Sequence, residues 1–262
     1  MEVVILCGGT GTRLSEKTEL VPKPLIEIGG RPLIWHIMKH YAHYQHTKFI
    51  LALGYKQEAF KEYFLNMSRY NYDIVVDTFE SKFEYHEQCR EDWRVVLVDT
   101  GRDTLKGGRL KRASKYIAGN TFMLTYGDAV SNVHFPSLLE FHRKHGKLLT
   151  ITGVHPTPRF GEIVASDTGE LLHYQEKPTG GSLINGGFMV ANKGILDILD
   201  EHCDLEIGPF DELVEAGEIM VYRHDGFWRC MDTLNDMKQL QLLWDSGKAM
   251  WKVWLDRLGL YA

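Results

Sequence analysis

Apolar residues along this chain fall into short continuous runs that alternate with stretches of helical spacing. Val3-Val4-Ile5-Leu6 is an unbroken apolar run stopped by Gly8, which predicts a strand over residues 2–7 buried on both faces. Residues 32–45 place Leu33, Ile34, Ile37, Met38 and Tyr41 at helical intervals. The same reading predicts strands at 49–53, 73–76, 94–98, 121–125 and 148–154, with helices at 58–65, 109–116 and 136–144. Strands alternating with helices imply a mainly parallel sheet covered on both faces, an α/β fold.

After residue 155 the texture changes. Residues 162–165, 171–175, 184–190 and 219–222 read as strands between Gly/Asp/Pro turns, with short helices near 194–200 and 210–216. This half reads as a β-rich annex on the sheet. There is no repeat, low-complexity tract or Ser/Pro-rich linker, so a single domain over 1–262 is expected. Its parts are a core over about 1–154, a β region over about 155–232, and a C-terminal helix with a Trp-rich tail over 233–262.

The chain has 262 residues, 44% hydrophobic and 25% charged, which is globular composition. Thirty basic against 35 acidic residues give a net charge of −5, with no basic excess for a nucleic acid. No stretch approaches the roughly 20 apolar residues of a membrane span. Cys7, Cys89, Cys203 and Cys230 form no C-x-x-C pair, and a reduced, cytoplasmic setting is expected.

Against this acidic background the opening stretch is basic and glycine-rich. Gly8-Gly9-Thr10-Gly11-Thr12-Arg13-Leu14 follows the first strand, and Pro22-Lys23-Pro24 comes next. Closely spaced glycines let backbone N–H groups approach a phosphate. Arg13 offers a planar fork and Lys23 a compact charge. The dinucleotide pattern G-x-G-x-x-G fails because Leu14 occupies the third glycine position, and no G-K-[ST] follows for a P-loop. Taken alone, the glycines could be a mobile turn with solvated charges. Asp128 follows the 121–125 strand, where a carboxylate beside a phosphate loop suits Mg²⁺. Asp232, followed by Thr233 and a helical pattern, reads on its own as a helix N-cap.

G-G-x-G-T-R-L with P-K-P placing Lys23 ten positions beyond Arg13 resembles the signature of the sugar-1-phosphate nucleotidyltransferases. The resemblance covers about residues 1–255. It implies a Rossmann-like fold and attack of a sugar 1-phosphate on the α-phosphorus of a nucleoside triphosphate. It further implies that Arg13 and Lys23 are catalytic, stabilising phosphate charge. Leu6, Gly8, Gly9, Thr10, Gly11, Thr12 and Gly127 would line the nucleotide site. Asp128 and Asp232 match the two aspartates that hold Mg²⁺ in such enzymes, so the cap and metal readings of Asp232 coexist. Arg159-Phe160-Gly161-Glu162, Gln175-Glu176-Lys177-Pro178 and Asn185-Gly186-Gly187-Phe188 resemble the sugar-binding segments, implicating Gly161, Glu176, Lys177 and Asn185.

Residues 29–39, 97–101, 107–112 and the Trp244 to Trp254 stretch resemble most the cytidylyltransferase branch of the family. That branch implies CTP and glucose 1-phosphate as substrates, with Thr104 and Arg109 at the CTP site, and a homo-oligomer as the assembly. The chain departs from the family at Ala129, Asn132, Pro158 and Cys230, several of them near the expected pocket. His36, His40 and His43 fall at i, i+4 and i+7. That spacing could build a metal site, but no nearby carboxylate or cysteine completes it, and a mixed surface and interface face is expected. Trp244, Trp251 and Trp254 are expected to cover the domain or a neighbouring subunit. Residues 79–93 read as a long connector, a lid or an oligomer contact.

Overall fold

The computed structural model describes residues 1–9, 21–71, 73–86, 91–156, 161–175 and 182–255. The N-terminal half runs β1 (Glu2–Leu6), β2 (Glu27–Ile28), β3 (Arg31–Pro32), α1 (Leu33–His43), β4 (Lys48–Leu53), α2 (Gln57–Asn71), β5 (Asp73–Asp77), β6 (Lys82–His86), β7 (Arg94–Asp99) and α3 (Lys106–Ala113). Then come β8 (Thr121–Tyr126), β9 (Ala129–Ser131), α4 (Phe135–His145), β10 (Leu149–Val154), β11 (Glu162–Ala165) and β12 (Leu171–Gln175). The chain continues through β13 (Ile184–Asn185), β14 (Met189–Asn192), α5 (Pro209–Glu215), β15 (Ile219–His224), β16 (Trp228–Cys230) and α6 (Leu234–Asp245).

The main sheet has eight strands, ordered β7-β4-β1-β8-β14-β10-β15 with β13 beside the far end of β10. β1, β4, β7 and β8 are mutually parallel, and β14 runs antiparallel to both β8 and β10. All long strands therefore share one direction except β14, the mixed, mainly parallel sheet expected of an α/β fold. Residues of β1 alternate between two cores: Val3 and Ile5 lie on one face of the sheet, Val4 and Leu6 on the other. All four are buried, which is why the strand reads as a continuous apolar run. No helix of the described residues is long and apolar enough to cross a membrane.

Several expectations are corrected. The part after residue 155 is β-rich but not an annex: β13, β14 and β15 join the main sheet, while β11–β12 forms a separate hairpin and β16 pairs with β9. The reason is that β14 inserts between β8 and β10, which sequence order cannot show. The strand expected over 184–190 breaks into β13 and β14, because Gly187 (φ +73°) and Phe188 (φ +47°) turn the backbone left-handed between them. The helix expected at 109–116 starts earlier, at Lys106, and ends as a short 3₁₀ turn over Ser114–Tyr116. The 194–200 helix is a 3₁₀ segment, Lys193–Ile198. The connector at 79–93 contains β6, which pairs with β5.

Of the α1 histidines, His43 is on the surface, whereas His36 and His40 are core residues. His36 and His40 are 1% and 2% exposed, because α1 lies between the sheet and the C-terminal tail. His40 Nε2 donates to Val133 O at 2.9 Å and His36 Nε2 to Ile28 O at 2.8 Å, while Trp251 Nε1 donates to His36 Nδ1. Burial holds both imidazoles neutral, lowering their pKa to about 4 for His36 and about 3 for His40. Trp35, Trp244, Trp251 and Trp254 ring His36. The tryptophans thus pack on the chain's own helix. α6 closes over the β2–β3 turn: Gly29 N–H donates to Gln241 Oε1 at 2.9 Å, and a Cβ on Gly29 would lie 2.0 Å from Trp244 Nε1. Only glycine fits that turn, which also needs φ of +60°.

Candidate active site

β1 and β8 are neighbouring parallel strands, so the residues that follow them emerge side by side at the carboxyl edge of the sheet. Gly8-Gly9 follows β1, and Gly127-Asp128 follows β8. Gly127 N–H donates to Leu6 O at 3.2 Å, which ties the two strand ends together. A Cβ on Gly127 would meet Pro24 Cγ at 2.9 Å and Cys7 Sγ at 3.0 Å, so the approach of the Pro22-Lys23-Pro24 segment requires glycine there.

Asp232 reaches the same place by a different route. β9 pairs antiparallel with β16, placing Ala129 opposite Cys230, and Met231 N–H donates to Asp128 O at 2.9 Å. The helix cap read for Asp232 belongs to its neighbour. Thr233 caps α6 in a capping box with Asp236, and a Thr hydroxyl at that position leaves the Asp232 carboxylate available to the cleft. Ala129 is 5% exposed and packs in the core, so its methyl points away from the cleft.

Lys23 sits in a single 3₁₀ turn, Lys23–Leu25, flanked by prolines that fix its backbone. Its Nζ donates to Asp128 Oδ2 at 3.0 Å and to Asp232 Oδ1 at 2.6 Å. Burial works against the ammonium, but the Asp128 charge and the bonds to both carboxylates outweigh it and raise the Lys23 pKa above the ordinary lysine value. One cation thus already bridges the two carboxylates.

The same place fits Mg²⁺. Ligand atoms of Asp128, Asp232 and Cys230 lie within 4.8 Å of one another, the one such group among the described residues. Mg²⁺ takes hard oxygen ligands and is commonly held by one or two carboxylates together with substrate phosphates. Burial pushes the Cys230 thiol pKa up, keeping it protonated and leaving the two carboxylates as the donors suited to a hard ion.

Lys23 and Asp128 border a cavity of about 340 Å³. Leu6, Gly8, Gly9, Lys23, Thr104, Arg109, Gly127 and Asp128 line it, all of them site residues expected from the sequence. Arg109 is placed differently from a free fork. It is 5% exposed, and its guanidinium donates to Gly8 O, Leu53 O, Gly101 O, Arg102 O and Thr100 Oγ1 at 2.7–3.1 Å. A Cβ on Gly8 would lie 2.1 Å from the same guanidinium. Arg109 therefore clamps the ends of β1 and β4 to the 100–102 loop beneath the cavity.

Gly161 stands at the start of the β11–β12 hairpin, away from the cavity wall. Asn185 joins the site indirectly, donating from Nδ2 to Tyr126 OH at 3.2 Å. Thr10, Gly11, Thr12, Arg13, Glu176 and Lys177 lie outside the described residues. Cavity residues that sequence reasoning missed include Tyr126, Lys106 and Asp204. Tyr126 had a signal, since it precedes Gly127-Asp128 at the strand end. Asp204 had none: it lies in an irregular loop that only the folded chain brings opposite α3.

The Nucleotidyl transferase family profile matches residues 2–250. Glucose-1-phosphate cytidylyltransferase of Salmonella typhi is 44% identical over 257 residues, covering 97% of this chain and 100% of that protein. The enzyme of the same name from Salmonella typhimurium is likewise 44% identical over 257 residues. In fold the chain is similar to the crystal structure of HddC from Yersinia pseudotuberculosis, with a TM-score of 0.65, 22% identity and coverage of 93% of this chain and 99% of that one. With the family profile spanning nearly its whole length, the chain belongs to the nucleotidyl transferase family.

Proposed function

We propose that this chain makes CDP-glucose and pyrophosphate from CTP and α-D-glucose 1-phosphate. A phosphate oxygen of the sugar forms a bond to the α-phosphorus of CTP. The bond from that phosphorus to the bridging oxygen breaks, and pyrophosphate leaves with the electron pair. One observation carries the reading: the Lys23 ammonium bridges Asp128 and Asp232, and Lys23 and Asp128 line a cavity of nucleotide size together with Gly8 and Gly9. The 44% identity to cytidylyltransferases over 97% of the chain supports CTP and glucose 1-phosphate as the substrates.

In this reading Asp128 and Asp232 hold Mg²⁺, which supplies charge neutralisation and a template for phosphates. Lys23, with Arg13, offsets negative charge on the reacting phosphates. The glycine loop, Gly8 to Thr12, gives N–H donors to the triphosphate, and Thr104 faces the nucleotide across the cavity. Arg109 holds the loop through Gly8 O. Glu176, Lys177, Gly161 and Asn185 form the sugar side. Incubating the purified protein with CTP, dTTP and UTP against a set of phosphorylated acceptors, and measuring pyrophosphate, tests the assignment. Product is expected only with CTP and glucose 1-phosphate. Turnover only with another pair would replace these substrates, and binding without turnover would make the chain a nucleotide-sugar sensor.

The free thiols of Cys7, Cys203 and Cys230 support a reducing, cytoplasmic setting. Assembly as a homo-oligomer is supported by the β5–β6 hairpin. Val75, Val76 and Phe83 are 50%, 53% and 64% exposed on it, and Phe79 at its turn is 96% exposed. A lone two-stranded ribbon has little stability of its own, and a neighbouring copy would cover these side chains. Phe79→Asp is expected to lower the mass measured by light scattering; an unchanged mass would place the contact elsewhere.

A further inference from the structure

Four polar side chains form a continuous chain of contacts from α3 to the β13–β14 turn. Lys106 opens α3, with Nζ 2.5 Å from Glu206 Oε2 and 3.4 Å from Asp204 Oδ1. The other Glu206 oxygen, Oε1, accepts a hydrogen bond from the Tyr126 hydroxyl. Asn185 Nδ2 donates to that same hydroxyl oxygen at 3.2 Å, and Asn185 Oδ1 accepts from Gly187 N–H at 3.0 Å.

The direction of this chain is determined by its ends. Glu206 turns Oε2 toward Lys106 and shares a hydrogen bond with Asp204, so Oε1 is left to accept the single Tyr126 proton. The hydroxyl lone pairs are then left for an N–H, which Asn185 provides. At the far end a backbone N–H can only donate, so Gly187 requires the amide oxygen of Asn185. Both ends select the same one of the two amide orientations. The turn itself is held against strain: Phe188 keeps φ of +47°, a costly conformation for a bulky residue, while donating to Thr125 Oγ1 and burying its ring completely.

We propose that Glu206 is a positioning residue for the sugar phosphate, fixing the Tyr126 hydroxyl and, through it, the Asn185 amide in one orientation at the cleft. The proposal rests on the reading that Asn185 belongs to the sugar side. Glu206 also fastens this wall to Lys106 beside the nucleotide, so one carboxylate sets the spacing between the two substrate halves.

Glu206→Gln replaces an obligate acceptor by an amide that can turn either way, and Tyr126→Phe removes the middle of the chain. Each is expected to raise the KM for glucose 1-phosphate about tenfold, with the KM for CTP within about twofold and kcat within about threefold. The double variant is expected to show about the same tenfold rise, because both changes break one chain. In a crystal structure of Glu206→Gln, the Asn185 amide should leave hydrogen-bond reach of the Tyr126 hydroxyl. An unchanged sugar-phosphate KM in both single variants, effects that multiply in the double variant, or an unmoved Asn185 each overturns the proposal. If the wild-type protein makes no CDP-glucose, the substrate assignment fails instead, and the position of Asn185 in the Glu206→Gln crystal alone decides the positioning role.

Discussion

The backbone of Met231 hydrogen-bonds the carbonyl of Asp128 at 2.9 Å, joining the segments that carry Asp128 and Asp232 through main-chain atoms alone. The separation of the two carboxylates is therefore set by the β9–β16 ladder and not by whatever cation lies between them.

Asp128→Ala tests this. The ladder uses only backbone atoms, so the variant is expected to fold with an unchanged circular dichroism spectrum. Mg²⁺-dependent pyrophosphate release should fall at least about 10²-fold, the scale for removing a preorganised electrostatic group. Retained turnover would remove the metal assignment.

Lys23→Met leaves the two carboxylates facing each other without their bridging ammonium. The variant should melt lower than wild type in metal-free buffer, because like charges at close range repel. Added Mg²⁺ should then raise its melting temperature more than that of the wild type, which already has a cation there. Turnover should fall about 10²–10³-fold. Equal Mg²⁺ shifts in the two proteins would mean that the ion binds elsewhere.

Gly127→Ala places a methyl 2.9 Å from Pro24 Cγ and 3.0 Å from Cys7 Sγ. The Pro22-Lys23-Pro24 segment must move, at about 1–3 kcal/mol for overpacking a closed site. Urea unfolding measures the loss. Turnover should fall along with stability, since Lys23 moves with Pro24; full activity at reduced stability would show that the segment recovers its position.

Stability should decline in mild acid because of the buried α1 histidines. Their folded pKa values, about 4 for His36 and about 3 for His40, lie below the ordinary value of 6.5. Below pH 6.5 the unfolded chain binds protons that the folded chain refuses, so stability present above that pH is lost as pH falls. The loss is about 1.4 kcal/mol per pH unit for each histidine and ends near the folded pKa of each. Replacing His40 by Gln should reduce the slope of stability between pH 6 and 4 by one proton's worth. An unaltered slope would show that His40 does not carry it.

The sheet was legible because β1, β4 and β8 are buried on both faces and read as apolar runs. The place of Gly8-Gly9 and Asp128 at one cleft was legible because strand ends are local features. What stayed hidden depends on distant partners. Asp232 looked like a cap because its partner Lys23 is 209 positions away. The α1 histidines looked superficial because the tryptophans that cover them come some two hundred residues later. Glu206 carries no local mark at all, since its meaning lies in Tyr126 and Lys106. Arg109 lines the cavity, but that five backbone and hydroxyl oxygens occupy its fork was hidden. No spacing rule reports the destination of a carbonyl.

The bond between Lys23 and Asp232 also has a meaning in time. At roughly 5–20 residues per second on the ribosome, the 209 positions between them take about 10–40 s to synthesise. Asp128 follows Lys23 by 105 positions and then waits for Asp232, and α1 lacks its C-terminal tryptophan cover throughout. The ion pair that joins Lys23 to both carboxylates can therefore form only after Asp232 has been synthesised, late relative to the loop segment that begins the cleft.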